Sequence, residues 1–156
     1  MGKVTAVCTS DRKGVQKTPG ESARFVAEHG IEGNAHAGAW HRQVSLISAE
    51  RVEEFRARGA DVGPGAFEEN LIVSGIDFRT LPVGTLLRCG DVILEMTQIG
   101  KECHNHCAIR QKNGRLHHAA RGHICARSEG RHNRRGRRDI GWGVILIKTP
   151  RQIYDR

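Results

Sequence analysis

Eight consecutive residues, Gly100-Lys101-Glu102-Cys103-His104-Asn105-His106-Cys107, carry the densest chemistry in the chain. Cys103, His104, His106 and Cys107 are soft or borderline ligands standing close enough together to hold a metal ion. The same neighbours suit a reactive thiol, because Lys101 and the two histidines lower the pKa of a nearby cysteine. The spacing is Cys-x3-Cys, not the Cys-x2-Cys of common zinc knuckles, and no second knuckle follows. Free cysteines are also often buried hydrophobes, so these residues by themselves balance chemistry against packing.

A second cluster is Gly33-Asn34-Ala35-His36-Ala37-Gly38-Ala39-Trp40-His41-Arg42-Gln43. Its small residues permit close backbone approach, and Arg42 offers a planar fork for a phosphate or carboxylate. His36 and His41 add two more polar groups, although a charged surface loop is the simpler account of the same residues. Glu69-Asn70 opens an apolar run, where the pair reads either as polar contacts lining a pocket or as a strand-end turn.

The elements that must position these groups are mostly strands. Lys3-Val4-Thr5-Ala6-Val7-Cys8 has β-branched alternation and runs into a turn at residues 10–14. Residues 21–29 read as a short helix closed by Gly30, and residues 44–47 as a strand. Ser48 is a fitting N-cap for a helix over 49–58, with Val52 and Phe55 on one face and Gly59 ending it. Gly63-Pro64-Gly65 breaks the pattern before a strand over 67–73. Residues 85–88 and 92–97 flank Cys89-Gly90-Asp91 as a β-hairpin. Several short strands with two modest helices predict a mostly β, barrel-like fold.

At 156 residues the chain suits one domain with a genuine core. No apolar stretch approaches the roughly 18 residues of a membrane span. The start lacks a secretory signal pattern, so a cytoplasmic location and no membrane partner are expected. Five cysteines without a disulfide-scaffold spacing agree with a reducing compartment. The net charge of +8 suggests nucleic acid at first sight. Residues 1–112, however, hold 14 basic and 14 acidic residues, so the whole excess lies in residues 113–156. A steering field for nucleic acid would not normally be confined to one tail, and a nucleic-acid partner is not expected.

Taken in order, these motifs resemble the MOSC domain family, in its small free-standing bacterial branch. The matching stretches are residues 2–7, 30–46, 65–71, 75–84 and 92–109, covering the chain to about residue 112. Thr97-Gln98-Ile99-Gly100-Lys101-Glu102-Cys103-His104 is highly specific, as is His36-Ala37-Gly38 with His41-Arg42-Gln43. Asn34 departs from the family, which usually carries Asp there, and His106 stands where a basic residue such as Arg is common. The resemblance implies a β-barrel-like fold and a molybdenum cofactor (molybdopterin). In larger relatives, the sulfurase C-terminal domains and the amidoxime-reducing enzymes, a cysteine of this region ligates molybdenum or handles sulfur. Cys103 matches that cysteine and would be the metal ligand, with Cys107 second; either would be the catalytic thiol. The resemblance further places His36, His41, Arg42, Glu69, Asn70 and Lys101 around the cofactor, with Arg42, Lys101, Lys13 and Lys17 available to its phosphate. The expected partner is the cofactor itself or a sulfur-donor enzyme, whether or not the domain catalyses a sulfur-transfer or cofactor-dependent reaction alone.

After Ile109 the resemblance stops. Arg115-Leu116-His117-His118 and Arg131-His132-Asn133-Arg134-Arg135-Gly136-Arg137-Arg138 are too polar for an ordinary barrel strand. Codons compatible with residues 114–126, read one base later, spell Gly-Asp-Cys-Ile-Met-Pro-Arg-Glu-Gly-Ile-Phe-Ala, which is the family's pattern. Compatible codons continue it to a stop at residues 144–145. The chain is therefore expected to divide into a MOSC domain at 1–113 and an anomalous basic tail at 114–156, frameshifted at or just before Asn113. The closing strands of the barrel are expected to be disrupted. Two other classes stay open: a Cys/His metal-binding protein using Cys103, His104, His106 and Cys107, and a nucleic-acid module acting through the tail.

Overall fold

The computed structural model describes residues 2–13, 15–26, 28–40, 42–90, 92–99, 123–128, 137–140 and 143–148. In chain order the strands begin with β1 (Gly2–Thr9), β2 (Thr18–Gly20), β3 (Ala23–Val26), β4 (Gly30–Ile31) and β5 (Val44–Ser48). Helix α1 (Ala49–Ala57) follows, then β6 (Leu71–Ser74), a 3₁₀ turn at Phe78–Thr80, β7 (Leu86–Cys89) and β8 (Val92–Ile99). The last described elements are β9 (His123–Ser128), β10 (Arg137–Ile140) and β11 (Val144–Lys148).

The larger sheet runs β11-β7-β8-β9-β5-β6-β1-β2, and β11 also pairs with β1, so the sheet curls back on itself. Among the described strands, only β5 and β6 pair in parallel. This geometry follows from α1, which returns the chain to the start of a neighbouring strand instead of reversing it in a hairpin. Curling gives the sheet two apolar faces. Val4, Val7, Phe25, Val44, Leu46, Leu71, Leu94 and Met96 fill one cluster. Cys8, Ile47, Val52, Phe55, Phe67 and Ile72 fill the other. Phe55 on α1 meets Phe67 at 5.3 Å between ring centroids. Ser48 Oγ accepts from Arg51 N at 3.2 Å, so the expected N-cap is formed.

Three expectations differ from the structure. The described residues of 21–29 form strand β3 and no helix: Ala23 and Phe25 point inward, while Arg24 between them is exposed. Backbone pairing of β3 to β4 and β10 outweighs the helix-forming composition of the segment. The strand expected from residue 67 begins at Leu71, because residues 65–70 are held in a turn. The basic tail contributes β9, β10 and β11, where its polarity implied lost strands. β9 lies between β8 and β5, with Ala126 completely buried. Strands are joined by backbone groups, so a polar sequence does not by itself prevent pairing.

Candidate functional site

The end of β1 is tied to the starts of β5 and β6 by one side chain. Asn70 is fully buried. Its Nδ2 donates to Cys8 O at 2.9 Å, and its Oδ1 accepts from Ser45 N at 3.0 Å. Its backbone completes the junction, with Asn70 N donating to Ser45 O at 2.8 Å and Cys8 N donating to Asn70 O at 2.7 Å. Glu69, also fully buried, accepts from Gly65 N at 2.5 Å and Phe67 N at 2.9 Å. Those bonds fix a turn in which Gly65 (φ 88°) and Glu68 (φ 60°) take left-handed backbone conformations. Gly65 O accepts from Lys17 N at 2.9 Å, and a Cβ on Gly65 would stand 1.9 Å from Lys17 O. Only glycine lets the two backbones approach this closely.

That approach draws Lys17 inward until only 3% of it is exposed. An ammonium buried this far needs polar partners. Lys17 Nζ lies 3.3 Å from Asn34 Oδ1 and 3.1 Å from His36 Nδ1. A charged Lys17 is a donor only, so His36 Nδ1 accepts and the ring proton sits on Nε2. Asn34 Oδ1 accepts a second bond from Ser10 N at 3.2 Å, which fixes the orientation of the amide. Its Nδ2 is buried and has no hydrogen-bond partner among the described residues. Trp40 Nε1 donates to His36 O at 2.7 Å, and the two rings lie nearly parallel, 6.4 Å apart. Lys13 Nζ stands 4.9 Å and Arg42 Cζ 5.7 Å from the Trp40 ring centroid. Cations at these distances are attracted by the indole face. The result is a polar, cation-rich end of β1, suited to an anionic ligand.

Cys8 sits beside this cluster but is a poor nucleophile. Burial pushes its thiol up to about 12, the Glu69 charge adds to the rise, and Lys17 opposes it. Burial also raises the Cys89 thiol. Neither forms a thiolate near neutral pH, so both act as small apolar residues.

Of the expected site residues, the structure brings His36 and Arg42 together around Trp40. Glu69 and Asn70 are engaged by backbone groups of the turn at residues 65–70 and of β1 and β5. His41, Lys101, Cys103 and Cys107 lie outside the described residues. The buried setting of Lys17 and the role of Gly65 have no signature in the local sequence, because both depend on segments far apart in the chain. Among the described residues, no group of three His, Cys, Asp or Glu is placed to hold a metal ion.

The model of the MOSC domain family matches residues 33–147. The chain is similar in structure to YuaD from Bacillus subtilis, with a TM-score of 0.74 at 19% identity, covering 94% of this chain and 95% of that one. It is also similar to YiiM from Geobacillus stearothermophilus, with a TM-score of 0.70 at 14% identity, covering 95% and 75% respectively. YiiM from Escherichia coli gives a TM-score of 0.60 at 13% identity, with 94% and 70% covered. At these identities the likeness is one of fold. No curated protein sequence matches the chain.

Proposed function

This chain belongs to the MOSC domain family, and from that premise we propose that it binds a molybdenum cofactor or relays sulfur for one through Cys103. The family is associated with molybdenum cofactor binding. The observation that carries the reading is the cluster at the end of β1. Lys17 is held by Asn34 and His36, and Lys13 and Arg42 flank Trp40. This donor set fits an anionic cofactor: several N–H donors and cations converge, and Trp40 offers a flat apolar surface. Lys17, Arg42 and Lys101 would hold the phosphate end. When bound, the cofactor supplies a redox-active molybdenum centre that accepts a thiolate ligand.

The thiol is assigned to Cys103, with Cys107 second. The two cysteines whose surroundings are described, Cys8 and Cys89, are held protonated by burial. For a relay, the Cys103 thiolate attacks the terminal sulfur of a donor persulfide. The donor's S–S bond breaks, its thiolate leaves, and a persulfide forms on Cys103 with no net oxidation.

The test is elemental analysis of chain purified from cells that make the cofactor, with persulfide detection on the same sample. Near-stoichiometric molybdenum, or a persulfide, is expected in the wild type and absent from Cys103→Ala. Stoichiometric zinc with neither molybdenum nor persulfide would replace this reading with that of a Cys/His metal-binding protein.

A further inference from the structure

We propose that the side-chain amide of Asn34 is the specific oxygen-binding donor of an oxyanion subsite that it forms with Lys17, fitted to a phosphate monoester. Asn34 is 5% exposed, and its Oδ1 is committed to Ser10 N and Lys17 Nζ. That commitment leaves Nδ2 with no freedom to turn, and Nδ2 is buried without a partner. Buried amide donors in folded proteins are almost always satisfied, so one held in a fixed direction without a protein acceptor points to an acceptor from outside the chain. Oδ1 and Nδ2 belong to one planar amide. Nδ2 therefore lies within roughly 5.5 Å of Lys17 Nζ, close enough for the ammonium charge to act on an oxyanion that Nδ2 binds.

The charge environment selects an anion. Besides Lys17, the loop holds Lys13 and Arg42 against Trp40. The acceptor cannot be a cation, because Nδ2 is a donor, and the nearby Lys17 charge favours an anion over a neutral carbonyl. Entry to the buried donor is through the loop itself. Gly33 (φ 78°) and Gly38 (φ 148°) bracket it, and a Cβ on Gly33 would meet nothing within 4 Å. A Cβ on Gly38 would stand 3.9 Å from Trp40 Cδ1, an ordinary contact, so neither glycine is held by a close neighbour. Glycine at both positions leaves the backbone there free to rotate.

The inference deepens the cofactor reading in naming where an anionic group binds, and it is tested without molybdenum. The probe is inorganic phosphate, titrated into the full chain at constant ionic strength with chloride as the control. Thermal melting and side-chain spectra of ¹⁵N-asparagine-labelled protein report binding. The wild type is expected to gain melting temperature saturably with phosphate. The Asn34 amide resonance, identified by its absence from Asn34→Asp, is expected to move along the same curve. Asn34→Asp keeps the acceptor for Ser10 and Lys17 but replaces the donor with a negative oxygen. Its phosphate affinity should fall at least tenfold, while its melting temperature without phosphate stays at or above that of the wild type. An Asn34 resonance unmoved by phosphate, or an Asn34→Asp variant binding phosphate as tightly as the wild type, overturns the proposal. Should that variant fail to fold, the Asn34 resonance is assigned by elimination with substitutions at the other asparagines, and its response decides. Phosphate binding without molybdenum loading would leave the subsite intact and sink the cofactor reading alone.

Discussion

Asn70 illustrates how much one buried amide does in this protein. It joins Cys8 O and Ser45 N, groups on different strands that would otherwise be buried without partners. Asn70→Ala leaves one carbonyl and one N–H unsatisfied, and each costs about 1–3 kcal/mol. Urea unfolding should therefore show a loss of about 2–6 kcal/mol. Cys8 gives a prediction in pH. Its folded pKa is raised above the ordinary value of 9.0 to about 12, so the native state keeps a proton that the unfolded chain releases. The associated stability is intact below the unfolded pKa and is lost as pH rises through that interval. The slope is about 1.4 kcal/mol per pH unit for a fully coupled group. Wild type and Cys8→Ala, unfolded in urea from pH 8 to 11, should therefore converge as pH rises; parallel curves would contradict the assignment. At this scale the sequence shows residue types but not burial. Glu69 and Asn70 stand out as a polar pair; Glu69 is held by N–H groups of its own turn, whereas the capture of Asn70 depends on backbone groups 25 and 62 residues away.

The turn at residues 65–70 and helix α1 set the positions of the elements around the cluster. Gly65→Ala would force a side chain into left-handed backbone and press its Cβ onto Lys17 O. Relief requires moving a backbone segment, so a loss of about 3 kcal/mol is expected. Withdrawal of Lys17 should accompany it, seen as weaker phosphate binding at temperatures where the variant is still folded. Ser48→Ala removes only the cap of α1, at a cost of about 1 kcal/mol, and should leave phosphate binding unchanged. Elements with strictly local signals were legible in advance: the cap and length of α1, the β7–β8 hairpin around Gly90, and the alternation of β1. β3 was not, since four residues read as helical until β4 and β10 pair with them.

Across the whole molecule the open question of construction is the basic tail. Its strands complete the curled sheet, with β11 bridging β7 and β1 and Ile145 almost fully buried. Yet Val144 and Leu146, on the opposite face of β11, are about half exposed. Replacing residues 114–144 with the sequence read one base later tests the frameshift proposal. The restored chain should melt about 10 °C higher, as several kcal/mol of added packing would produce in a domain of this size. An equal or lower melting temperature would make the encoded tail the better closure. The sequence by itself determined the family, the mostly β class, the capped helix and the residue types able to do chemistry, because these rest on motifs and periodicities within short windows. Only the tertiary structure decided that Lys17 is drawn inward by Gly65, that Asn34 is left with a buried unused donor, and that Cys8 is an inert thiol. Burial, close approach and hydrogen-bond partnership are properties of segments distant in sequence. No local pattern contains them.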